Sequence, residues 1–294
     1  VTLPSEPTIV TYPDGETRGT AVVRHLAGRD DGTTAVLIDA TPCHPVDAGW
    51  PDQGPDRATI RHNDAELVVI DCVVAATDGT ELLTGSDIPV KKGTEGWTFA
   101  VAHIVDDGAA LAEGDKVDVV VDDDYRTALS TGHTACHVAS LALNKAMAGR
   151  WKKEVREDGL GAPDFDGLAI DASMIVENGS VDTYRLGKSL RRKGFIVDGF
   201  QEDLPLIEDA VNAALTEWVG TRAAVRIDRD GETLTDRRFW VCELPEQTVS
   251  IPCGGTHLKS LAEVSSLHVS LSTEDVDGTT VLRMETTATP VQGR

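Results

Sequence analysis

The first 120 residues carry apolar positions in short runs broken by turn dipeptides. Runs at 20–25, 34–39, 67–75, 97–104 and 117–121 are rich in Val, Ile and Thr and bounded by Gly, Asp or Pro, the composition of strands. Asp14-Gly15, Asp31-Gly32, Asp78-Gly79 and Asp107-Gly108 mark turns between them. Short strands at this spacing predict a small β-barrel or sandwich. Near Asp122 the pattern changes. Leu129, Ala135, Val138, Leu141, Ala142 and Met147 recur at helical spacing, predicting a long helix over 127–147, with Gly149 close to its end. The spans 183–192 and 204–219 also read as helices. The second has Asp203 as its N-cap, Pro205 in its first turn and Gly220 as its stop. Strands are expected at 168–176, 222–228, 239–243, 248–251, 264–271 and 280–285. The expectation is an α+β protein: an N-terminal small β-barrel over 1–120, then an α+β domain over 121–294 with a long helix and a sheet.

Composition narrows the function classes. The chain has 294 residues and a net charge of −22, so it is long enough to bury a full core without staples. Its acids are mostly aspartate (31 Asp, 18 Glu) and its lysines are scarce (9 Lys, 18 Arg). That is a strongly solvated surface, of the kind suited to high salt, and it argues against a general cationic coat for nucleic acid. No apolar run approaches the ~18 residues of a membrane span. Residues 1–10 have no basic residue ahead of their apolar run and do not read as a secretory signal; the expectation is a cytoplasmic protein. The cysteines are Cys43, Cys72, Cys136, Cys242 and Cys253. An odd, dispersed set does not form a disulfide framework. No nucleotide-binding glycine fingerprint is present.

Two motifs carry chemistry. His133-Thr134-Ala135-Cys136-His137 lies inside the expected long helix, so its histidines share a face one turn apart. Cys253-Gly254-Gly255-Thr256-His257 reads as a tight glycine turn that brings a thiolate and an imidazole together. Each motif alone is equally compatible with ordinary packing. Together they offer three His and one Cys, a full zinc-type ligand set.

The two motifs resemble those of the editing domain of alanyl-tRNA synthetase and its free-standing relatives. Arg126 ahead of His133, the apolar tail Val138 to Leu141, and Leu258 and Glu263 after the second motif extend the likeness over about 120–271. Residues 1–120 resemble the small barrel that precedes this domain in the free-standing proteins. The family's barrel carries a loop close to FYPEGGGQP. Here Thr41, Pro42, Pro45, Gly49, Pro51 and Gly54 align with it, while Asp47 and Ala48 replace two glycines and Trp50 replaces the glutamine. The resemblance implies that this loop shapes the aminoacyl pocket, with Thr41 and Trp50 as candidate pocket residues. It also implies a Zn²⁺-dependent hydrolase of the aminoacyl ester of mischarged tRNA, removing Ser or Gly from alanine tRNA, with His133, His137, Cys253 and His257 as ligands. The altered loop keeps a second reading open, a metal-binding RNA-interaction module or a hydrolase of a different acyl ester.

Charge position offers a contact surface for the tRNA. Lys145, Arg150, Lys152 and Lys153 fall in one run, and Arg185, Lys188, Arg191, Arg192 and Lys193 in another. Phosphate contacts need such concentrations of cations. Solvated helix ends would carry the same residues.

Overall fold

The fold is described from a computed structural model of the chain, over residues 3–49 and 51–291. It is a mixed α+β architecture with four sheets and few helices. In chain order the elements are β1 (Ile9–Val10), β2 (Arg18–Gly28), β3 (Thr34–Ile38), β4 (Ala40–Thr41), β5 (Ala58–His62), β6 (Ala65–Thr77), β7 (Leu82–Thr84), β8 (Thr98–Val105) and β9 (Lys116–Val121). There follow α1 (Asp123–Met147), α2 (Phe165–Ala169), β10 (Ile170–Val176), β11 (Gly179–Arg185), α3 (Lys188–Arg192) and α4 (Phe200–Thr221). The chain ends with β12 (Val225–Arg229), β13 (Arg238–Glu243), β14 (Thr248–Pro252), β15 (Val264–Val276) and β16 (Thr279–Pro290).

The chain divides into two compact units. Unit 1 is Val1–Thr127, Ile227–Phe239 and Pro252–Thr256; unit 2 is Ala128–Arg226, Trp240–Ile251 and His257–Arg294. In unit 1 a seven-stranded sheet runs β5-β9-β2-β3-β8-β6-β7, and β5 also pairs with β6. Alternation sets its faces. Along β6, Leu67 and Val69 are buried while Val68 and Ile70 are exposed. One face supplies a core of Val23, Val36, Ile38, Ile60, Val69, Val101 and Val119. The buried Arg126–Asp56 ion pair anchors the loop between β4 and β5. Arg126 also donates to the Pro42 carbonyl at 2.7 Å, and Asp56 accepts the His44 N–H.

In unit 2 an antiparallel sheet runs β10-β11-β16-β15. Its β15 edge is covered by α4. Asn212 donates to Val269 O and accepts Val269 N–H, both at 2.8 Å, and Glu208 accepts Leu271 N–H at 2.6 Å. Side chains thus satisfy backbone groups that an open edge would leave free. The β15–β16 hairpin turns on Asp277 and Gly278, both at positive φ, as a two-residue hairpin requires. Helix α1 begins at an Asp122 cap, whose carboxylate accepts Tyr125 N–H at 3.0 Å. Gly132 lies where α1 meets the β10–β11 turn. A Cβ there would stand 2.3 Å from Val176 O and 2.4 Å from Gly179 O.

Two expected elements differ. The span 183–192 is not one helix: β11 runs through Arg185, and only Lys188–Arg192 is helical. The residues of β11 that turn inward are Ser180, Asp182 and Tyr184, so its buried face is polar and its alternation is hidden. Helix α4 starts at Phe200 rather than Leu204, because Gly199 at φ 69° caps it through the backbone alone. It ends on Arg222 in the left-handed region rather than at Gly220.

Candidate metal centre

Three imidazoles meet in unit 2. His133 and His137, one turn apart on α1, have ring centroids 4.9 Å apart; His257 lies 4.3 Å from the first and 5.1 Å from the second. Cys253 reaches the group from the same turn as His257, four residues earlier. The donor atoms of His133, His137, Cys253 and His257 all lie within 4.8 Å of one another. Bonds of about 2.0–2.3 Å to a tetrahedral zinc put neighbouring donors ~3.3–3.8 Å apart, so a small inward adjustment brings all four onto one ion. His137 Nε2 is buried and makes no hydrogen bond. An orphaned imidazole nitrogen among soft and borderline donors is what a bound ion would satisfy. The residues present therefore fit a metal of the zinc type.

The surroundings hold these side chains in place. Thr134 Oγ1 accepts Leu258 N–H at 3.0 Å and lies 3.3 Å from His257 Nδ1. Ser260 and Glu263 form a capping box just beyond, and Glu263 also accepts Lys259 N–H at 2.9 Å. In unit 1 the buried Gln53 amide takes both polar groups of Thr256: Nε2 donates to Oγ1 at 2.9 Å and Oε1 accepts the N–H at 3.0 Å. The glycine turn is thus pinned between Cys253 and His257. The fully buried Trp240 ring lies 5.0 Å from the His137 ring.

Cys136, between the helix histidines, does not join the set. Its thiol is 3.6 Å from Asp182 Oδ1, and burial together with that carboxylate pushes its pKa well up. Ser173 and Ser180 donate to the same carboxylate at 2.6 and 2.8 Å. Burial raises Asp182, and it raises Asp166 to about 6 even though Tyr184 donates to that group at 2.9 Å.

No family model matches the chain. It is similar to the alanyl-tRNA editing protein AlaX-M of Pyrococcus horikoshii, with 26% identity over 234 residues, covering 79% of this chain and 78% of that protein.

The other residues that the editing resemblance singled out have these places. Thr41 is buried in unit 1, its hydroxyl 2.8 Å from His103 Nε2 and accepting Cys43 N–H at 3.1 Å. Trp50 lies outside the described residues. Among the cations, Lys145 pairs with Glu246 at 2.7 Å. Arg150 is largely covered, paired with Asp203 and donating to Ile196 O at 3.0 Å. Lys152, Lys153, Arg185, Lys188, Arg191, Arg192 and Lys193 are exposed. Trp240, Gln53 and Asp56 were not singled out from the sequence, because each works through a partner far away in the chain.

Proposed function

We propose that the chain is a metal-dependent hydrolase that acts on the aminoacyl ester of mischarged tRNA and removes serine or glycine from alanine tRNA. The observation that carries this reading is the convergence of His133, His137, Cys253 and His257 from two motifs far apart in sequence. The likeness to an alanyl-tRNA editing protein supports tRNA as the partner, presented at its acceptor end, and a cytoplasmic setting. The ring of pairings through β5 and β6 supports reading residues 1–120 as the small β-barrel of the free-standing editing proteins, ahead of an editing domain over 121–294.

A zinc ion held by the four side chains would supply Lewis acidity toward the ester carbonyl and toward water. The chain's own residues do the positioning. With His257 Nε2 as donor, its Nδ1–H goes to Thr134 Oγ1, whose two lone pairs take both that proton and the Leu258 N–H. Trp240 covers one face of His137. An aminoacyl ester is labile, so correct placement supplies much of the rate.

One observation favours the second reading, a module that keeps the metal but not the pocket. Asp47 accepts the Gly49 N–H at 2.9 Å and pairs with Lys92 at 2.5 Å. In a glycine-rich loop that amide would be free for a ligand. Release of amino acid from a panel of mischarged tRNAs decides between the readings. Hydrolysis of seryl- or glycyl-tRNA that stops on chelation supports the enzyme. Zinc bound at one ion per chain with no ester cleaved supports the module.

A further inference from the structure

The two basic runs, far apart in sequence, are zipped together by backbone in unit 2. Trp151 and Phe195 form an antiparallel bridge, with Lys152 N–H donating to Gly194 O at 2.9 Å and Ile196 N–H to Arg150 O at 2.8 Å. The Trp151 and Phe195 rings meet edge-on at 5.0 Å. Lys153 Nζ donates to Arg192 O at 3.0 Å, at the end of α3. Gly194, at φ +106°, permits the approach, since a Cβ there would stand 3.0 Å from Lys153 Cβ. Lys152 and Lys153 are thereby set beside Arg191, Arg192 and Lys193, with Lys188 at the start of the same short helix.

All six of these side chains are exposed. Among the described residues none of them makes an ion pair within 4.0 Å, whereas Lys145, Arg150 and Arg156 in the same two runs each have a carboxylate partner. A chain of net charge −22 has acids enough to neutralise every cation. Here six stay together without one.

We propose that Lys152, Lys153, Lys188, Arg191, Arg192 and Lys193 form one surface that binds the phosphate backbone of the tRNA substrate, an inference that rests on the editing reading. Unpaired guanidinium and ammonium groups on one patch match closely spaced phosphates, and in an acidic protein they form a local attractor for a polyanion. The aromatics at the seam pack edge-on against each other, so the surface reads backbone rather than bases. Lys145 and Arg150 lie outside it, being held by Glu246 and Asp203.

The test is a quadruple variant, Lys152→Gln, Arg191→Gln, Arg192→Gln and Lys193→Gln. Lys153 is kept because its ammonium secures the end of α3, and an unchanged thermal midpoint verifies folding. Binding of uncharged tRNA is measured across a KCl series in which both proteins are folded. At ~0.7–0.9 counterions released per phosphate contact, losing four cations lowers the slope of log affinity against log salt by about 3. Affinity should fall at least tenfold, while cleavage of a small ester such as seryl-adenosine is unchanged. Equal tRNA affinity and equal slope in both proteins would overturn the surface. So would a variant that loses binding only to anionic lipid vesicles. If wild-type protein cleaves no mischarged tRNA yet the variant loses tRNA affinity as described, the surface stands and the editing reading alone fails.

Discussion

At the level of single residues, the metal donors and the loop ahead of β5 are held by side chains that hold other side chains. Thr134→Val removes the acceptor of Leu258 N–H and the partner of His257 Nδ1. Leu258 is buried, so its orphaned N–H costs about 1–3 kcal/mol. Loss of an outer-shell partner weakens metal affinity ~10–100-fold. Competition of the folded variant against a zinc chelator measures this, and Thr134→Ser should restore most of it. Arg126→Met leaves Asp56 as an uncompensated buried charge and should lower the unfolding free energy by about 3–5 kcal/mol; adding Asp56→Asn should recover part of that. The four donors were legible in the sequence because metal ligation restricts residue type and spacing together. Their supports were not. Gln53 lies 203 positions from Thr256 and Asp56 lies 70 from Arg126, and no local pattern links either pair.

At the scale of elements, the strands whose apolar residues alternate were legible to within a few residues, as was α1. What differed were β11, whose buried face is polar, and the bounds of α4, whose cap uses no side chain. Strand β11 buries Ser180, Asp182 and Tyr184, and α4 is capped by Gly199. Strand β5 is only five residues long and carries Arg61 and His62, so it looks like a loop. The close packing of α1 on the β10–β11 turn gives a paired prediction. Gly132→Ala drives a methyl into two carbonyl oxygens and should lower the unfolding free energy by about 1–3 kcal/mol. Gly220→Ala, in α4 with nothing within 4 Å of its Cβ position, should raise it by about 0.5–1 kcal/mol. Denaturant midpoints of the two variants should move in opposite directions.

At the scale of the whole molecule, charge is the dominant feature. Forty-nine acids against 27 bases repel one another in the folded state, and salt screens that repulsion over about 10 Å at 0.1 M and about 3 Å at 1 M. Raising KCl across that range should therefore lift the thermal midpoint, on the order of 5 °C for a gain of about 2 kcal/mol. A midpoint that stays flat or falls would show that the acids are already neutralised within the fold. The same imbalance makes the cations of 152–153 and 188–193, which lack a carboxylate partner among the described residues, stand out, and the proposed RNA contact rests on them rather than on the surface at large. Whether the four donors hold the ion that ester cleavage needs is decided by serine release from seryl-tRNA by one preparation, before chelation, after it, and after zinc is returned. The zinc-loaded protein should release serine, lose at least a hundredfold of that rate on chelation and recover it with one zinc per chain; undiminished release from the metal-free protein would overturn a metal-dependent hydrolase.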